Sequence, residues 1–196
     1  CRFVGLIDPA EIMEAEYFPI DDMLARATAQ VEAHETPPDA LIGYVDFPVS
    51  TMLPILAQRF GLRAPSLEAL LKCEHKYWSR LAQREIVPEH IPDFALIDPF
   101  ADNAIAACSI AYPFWLKPVK SAGSYLGFRI DNDAAFEAAL AEIRAHIGIF
   151  AEPFDRILDH ATLPAEVADV GGHFCLAESL IGGEQCTIEG YVQDGN

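Results

Sequence analysis

The sequence predicts an α/β protein built as two units laid end to end. Short apolar runs of strand length alternate with stretches of helical period, and Gly and Pro punctuate the joints between them. The 196 residues are 52% hydrophobic with a mean hydropathy of +0.17, which supplies a core and excludes a disordered acidic chain.

Phe3–Ile7 is a short apolar run that fits a buried strand. From Ile20 onward Met23, Leu24, Ala27 and Val31 recur at helical spacing, with Asp21 or Asp22 as the cap. A Pro-Pro-Asp turn leads into Ala40–Val45, a second strand. A helix over 50–60 follows, with Gly61 at its C-terminal stop. Strand, helix, strand, helix implies a small parallel sheet covered by helices.

Ser66 caps a helix running to Lys72, and a further helix covers Glu74–Glu85 before the Pro88/Pro92 loop. Pro113–Lys117 reads as a strand, with a return strand around Gly127–Ile130 after a loop of small residues. Phe136, Leu140, Ile143 and Ile147 form a helical stripe behind an Asp131/Asn132 cap, with Gly148 as the stop. Phe174–Glu178 and Cys186–Val192 look like strands separated by Ile181-Gly182-Gly183; the stretch 155–172 gives no clear pattern.

With 13 Lys+Arg against 30 Asp+Glu the net charge is −17, which repels phosphate backbones and anionic lipid and argues against nucleic-acid and membrane partners. The longest apolar stretch, around Ala106–Leu116, is too short to span a bilayer and contains Ser109 and Pro113. Five cysteines without a C-x-x-C pair read as reduced thiols, and no export signal opens the sequence, so a cytoplasmic location is expected.

Lys72, Lys76, Lys117 and Lys120 are the only lysines, and two of them flank Ser121-Ala122-Gly123-Ser124. Backbone N–H groups of such a loop can approach phosphate oxygens closely while an ammonium neutralises them. An ordinary hairpin with surface lysines would give the same pattern. A Gly-Gly turn after the 174–178 strand, with Glu178 and Glu184 on either side, suits backbone reading of a purine and a carboxylate on ribose hydroxyls, or simply a hairpin. No P-loop, G-x-G-x-x-G, H-E-x-x-H or G-x-S-x-G motif occurs. The six histidines lack ligand spacing and read as surface or loop residues.

Taken in order, these pieces resemble the ATP-grasp superfamily. Residues 39–70 look like the end of its pre-ATP-grasp domain. Lys76-Tyr77-Trp78-Ser79-Arg80 with Ile86-Val87-Pro88 is similar to its "DK-x-x-x-R … G-I-P" segment, and Pro113–Pro118 to its "P-x-x-x-K-P" strand. Ser121–Gly127 resembles the phosphate-covering loop, and Glu178–Glu184 running into Glu189–Val192 resembles "E-x-I-x-G-x-E … E-G". His75 and Ala177 stand where the family usually has acids.

The resemblance implies a Rossmann-like pre-ATP-grasp unit over 1–72 and an incomplete ATP-grasp domain over 73–196, with a lid subdomain at about 94–177. Lys76 and Lys117 would bind the α- and β-phosphates, and Ser121, Gly123 and Ser124 would cover the triphosphate. Ala177 would offer its carbonyl and Leu180 its N–H to adenine, with Glu178 in the same site and Glu184 on the ribose. ATP and Mg²⁺ are the implied cofactors, the metal ligands being expected beyond Asn196. The implied activity is ligation: a carboxylate activated as an acyl phosphate and attacked by an amine. A biotin-carboxylase-like use of hydrogencarbonate and a non-catalytic nucleotide-binding module are the alternatives. The expected partners are the nucleotide and a small carboxylate, with a homodimer permitted by apolar faces.

Overall fold

A computed structural model describes residues 1–191 of the chain. Eight α-helices and four strands run in the order α1 (Ala10–Met13), α2 (Ile20–Glu32), α3 (Val49–Arg59), α4 (Leu67–Glu74), α5 (Lys76–Ile86), β1 (Phe94–Ile97), α6 (Ala104–Ala107), β2 (Phe114–Pro118), β3 (Phe128–Ile130), α7 (Asp133–His146), α8 (Gly148–Leu158) and β4 (Cys175–Ser179). The mixture of helices and sheet is the class that the sequence predicts.

The N-terminal part is helical. α2 buries Ile20, Met23, Leu24, Ala27 and Val31 on one face, as the periodicity requires. Pro19 stands at its N-cap position, so Asp21 and Asp22 lie inside the first turn instead of capping it. Gly61 adopts a φ of +64°, the left-handed stop expected after α3. The apolar runs at 3–7 and 40–45 do not form strands among the described residues, and the predicted parallel sheet is absent there. Neither run has a neighbour to take up its backbone N–H and C=O groups, and a strand without a ladder has no stability of its own. Leu6, Ile7 and Leu41 instead pack against the helical core.

The sheet lies in the second half, with all pairings antiparallel and strand order β1-β4-β2-β3. β2 and β3 form the expected hairpin, with Phe114 opposite Ile130. β4, last in sequence, inserts between β1 and β2, so its peptide groups are paired on both edges. The predicted strand at 186–192 is not formed over the described residues 186–191, and Val192 lies outside them.

Alternation along β2 and β4 divides the sheet into two faces. Phe114, Leu116, Cys175 and Ala177 point to α6 and α7, where they join Ile97, Ile130, Phe136, Leu140 and Ile143 in one apolar core. Asn132 caps α7 by accepting from the Ala135 N–H at 2.9 Å. Gly148 does not stop the chain; it is the first residue of α8.

α8 carries Phe154, Ile157 and Leu158 back to the N-terminal helices, in a second core with Phe18, Met23, Leu24, Phe47, Leu71 and Trp78. This core draws on both sides of the 72/73 boundary inferred from the sequence. At Gly172 a Cβ would lie 2.7 Å from Ala151 Cα and 2.9 Å from its carbonyl oxygen, so the segment entering β4 passes α8 at a distance only glycine permits.

Candidate functional site

The face of the sheet turned away from α6 and α7 carries Trp115 and Lys117 from β2 and Leu176 and Glu178 from β4. α5 reaches the same region, with the Tyr77 and Phe94 rings 6.1 Å apart and the Arg84 guanidinium 5.1 Å from the Phe94 ring.

His75 fixes where α5 begins. It ends α4, and its Nδ1 accepts from the Trp78 N–H at 3.1 Å, which caps α5. Its Nε2 lies 2.8 Å from the Val170 carbonyl, which can only accept, so Nε2 carries the proton and the ring is neutral. The residue is fully buried, which corrects its expected surface or loop position. Burial pulls its pKa below 6.5, against the opposing pull of the hydrogen bond to the Val170 carbonyl. An imidazole thus caps α5 at the position where the resemblance expects an Asp.

Lys76, the next residue, is tied to the turn after β2. Its N–H donates to the Val119 carbonyl at 3.1 Å, and its Nζ donates to the Ser121 carbonyl at 3.0 Å and Ser121 Oγ at 3.2 Å. Among the described residues Lys76 forms no ion pair. Its pKa is lowered to about 8, first by burial and then by the charges of Lys120 and Lys117. Three of the four lysines in a chain of net charge −17 therefore converge on one place.

Two carboxylates hold the other cations. Glu178, buried in β4, accepts from Lys117 Nζ and from Arg80 Nε, each at 2.5 Å. Arg80 also donates through Nη1 to Gln83 Oε1 at 2.6 Å, one turn further along α5. Glu74 pairs with Lys120 and accepts from Ser50 Oγ at 2.7 Å. Lys120 is buried, with its Nζ 4.6 Å from the Phe47 ring centre and 5.6 Å from that of Phe154. It is a core cation, in contrast to the surface lysine a plain hairpin would carry.

The loop after Lys120 turns through left-handed backbone at Gly123 (φ +57°) and Ser124 (φ +61°), and the Gly127 N–H donates to the Ser124 carbonyl at 3.1 Å. A serine in that conformation is uncommon, because its Cβ crowds the backbone. Gly123 and Ser124 are exposed.

Of the residues singled out from the sequence, the structure brings together Lys76, Lys117, Ser121 and Glu178. Leu180 and Glu184 lie beyond β4 in an exposed stretch without regular structure. Ala177 is buried in the central strand. The Ser179 N–H donates to Asp93 on the β1 side, and antiparallel strands alternate, so the Ala177 backbone also faces β1, opposite Ala95. Its carbonyl therefore faces the ladder with β1.

Arg80, His75, Glu74 and Lys120 were missing from the site as read in the sequence. Arg80 left a trace there as the last residue of the Lys76–Arg80 motif, Lys120 as a lysine beside the small-residue loop, and His75 as the residue in place of an acid. Among the described residues no group of three His, Cys, Asp or Glu side chains is placed to hold a metal ion, and the resemblance expects the Mg²⁺ ligands outside them. Of two clefts, of about 610 and 690 Å³, the first is lined by Arg84, Asp93, Phe94 and Ser179 at the β1 end of this sheet face, and the second lies between α6 and α7. No helix among the described residues is long and apolar enough to cross a membrane.

No protein-family model matches the sequence, and none of the curated proteins does. Among solved structures the chain is similar to the L-amino acid ligase from Bacillus licheniformis, with a TM-score of 0.53 and 18% identity over 85% of this chain and 32% of that one. It is also similar to the D-alanine-D-alanine ligase from Helicobacter pylori, with a TM-score of 0.46 and 16% identity over 83% of this chain and 50% of that one. The chain thus spans about a third of the length of the first ligase and half that of the second. At these identities the likeness is one of fold. The antiparallel sheet backed by α6 and α7, with α5 against its open face, thus shares the fold of the matching part of the L-amino acid ligase.

Proposed function

We propose that this chain grips the nucleotide of an ATP-dependent ligase, one that activates a carboxylate as an acyl phosphate for attack by an amine. The observation that supports this most is the unbalanced charge at the sheet face. Lys76 is driven down to a pKa of about 8, first by burial and then by the charges of Lys120 and Lys117, although the chain as a whole carries a net charge of −17. A bound anion would relieve that repulsion, and a polyphosphate is an anion long enough to meet Lys76 and Lys117 together.

In this reading Lys76 and Lys117 neutralise the α- and β-phosphates, while Ser121, Gly123 and Ser124 close over the triphosphate. Leu180 offers its N–H to the adenine and Glu184 its carboxylate to the ribose. In the ligation itself a carboxylate oxygen would bond to the γ-phosphorus as the bond to ADP breaks. The amine would then form the new C–N bond as phosphate leaves. Acyl phosphates suit this step because phosphate is a far better leaving group than the original oxygen.

Thermal melts with ADP and with Mg–ATP test the grip. A ligand at a hundredfold excess over its dissociation constant stabilises the native state by about 2.7 kcal/mol, a clear rise in midpoint. Lys117→Ala should abolish the rise. No rise for the unaltered chain would overturn the proposal.

A further inference from the structure

The Glu178 carboxylate is shared. Lys117 Nζ and Arg80 Nε each lie 2.5 Å from a different one of its oxygens, and the side chain is almost wholly buried. If Lys117 alone faced Glu178, the two charges would cancel and Lys117 would have little to offer a phosphate. With Arg80 on the second oxygen, one positive charge remains on this part of the face. We infer that Arg80 is a positioning residue, which occupies Glu178 so that Lys117 stays available to the nucleotide. The assignment deepens the functional reading above and rests on it.

Arg80 is placed for this and for little else. Its guanidinium is anchored on its own helix by Gln83, which in turn donates to Ser79 Oγ at 3.3 Å. α5 is itself fixed at its first turn by His75 and by the Lys76–Val119 hydrogen bond. A rigid fork can hold one carboxylate oxygen through Nε while spending Nη1 elsewhere, which a lysine at the same position could not do. Arg80 therefore acts through Glu178, and the nucleotide touches Lys117.

A double-mutant cycle read by ADP titration calorimetry, with melting curves alongside, tests this. Arg80→Gln should weaken ADP binding about tenfold, because Glu178 is then left to Lys117 alone. Glu178→Gln should bind ADP at least as tightly as the unaltered chain. The double variant should return to within about threefold of the unaltered chain. Persistent weak binding by the double variant would mean that Arg80 meets the ligand directly, and would overturn the inference. A lower melting point for Arg80→Gln with unchanged affinity would mean a purely structural role, and would overturn it too. If Arg80→Gln does not fold, the Glu178→Gln variant still decides, since a clear loss of ADP affinity there contradicts the scheme. Absence of ADP binding by the unaltered chain would overturn the functional reading itself, and this assignment with it.

Discussion

Lys117 and Glu178 meet diagonally across the β2–β4 ladder. The residue directly opposite Glu178 is Trp115, and Lys117 sits two positions further along the same face, with its Nζ 2.5 Å from Glu178 Oε2. Diagonal neighbours on one face are within reach of a long side chain, and the burial of Glu178 keeps water from weakening the pair. The sheet face thus holds a lysine pointed outward and already partly dehydrated. Lys76 lies nearby without a carboxylate of its own. This contrast sets the expected pH behaviour of the site.

Lys76 has a pKa of about 8 in the free protein. A bound polyphosphate favours the charged ammonium and raises that value. Between the two pKa values, binding takes up a proton, so affinity is full below pH 8 and falls as pH rises through it. The slope approaches one tenfold loss per pH unit. ADP titrations between pH 7 and pH 10 should show this fall, and Lys76→Ala should bind weakly with a flatter profile. An unchanged slope in Lys76→Ala would show that another group titrates.

His75 sets an acid limit on stability. Its pKa is lower in the folded chain than the unfolded 6.5, so the unfolded chain takes up the proton first as pH falls. The stability held by the neutral ring is complete above about pH 6.5 and erodes as pH falls toward the folded pKa. Replacement by Ala removes the α5 cap and leaves the Val170 carbonyl without its donor, at a combined cost of roughly 2–4 kcal/mol. His75→Asn should recover the cap alone. Urea unfolding at pH 7.5 and pH 5.5 separates the two effects, because the pH difference should shrink in both variants.

The Lys120–Glu74 pair carries structural weight beneath the site. Lys120→Ala strands the Glu74 carboxylate and should destabilise the fold by roughly 3–5 kcal/mol. Lys120→Met with Glu74→Gln keeps the packing on Phe47 and Phe154 and leaves no lone charge. Most of the loss should then be recovered in urea midpoints. A double variant as unstable as Lys120→Ala would mean that the cation–ring contacts outweigh the ion pair.

The sequence by itself determined the elements that depend on near neighbours. Apolar spacing in α2 and α7 marks their buried faces, Ser66 and Asn132 cap as expected, and the 113–130 segment closes into its hairpin. It also named Lys76, Lys117 and Ser121 together, because their order along the chain resembles a known arrangement, and the structure brings them near one another. Tertiary structure alone decided the rest. The runs at 3–7 and 40–45 have strand-like composition, yet a strand needs a partner, and periodicity says nothing about whether one arrives. β4 enters between β1 and β2 from far along the chain, and this insertion turns the Ala177 carbonyl toward the ladder with β1. Arg80 and Glu178 are 98 residues apart, so no local pattern could pair them. The burial of His75 and Lys120 has the same cause. α8 folds back over both, and what a polar side chain becomes depends on what packs above it.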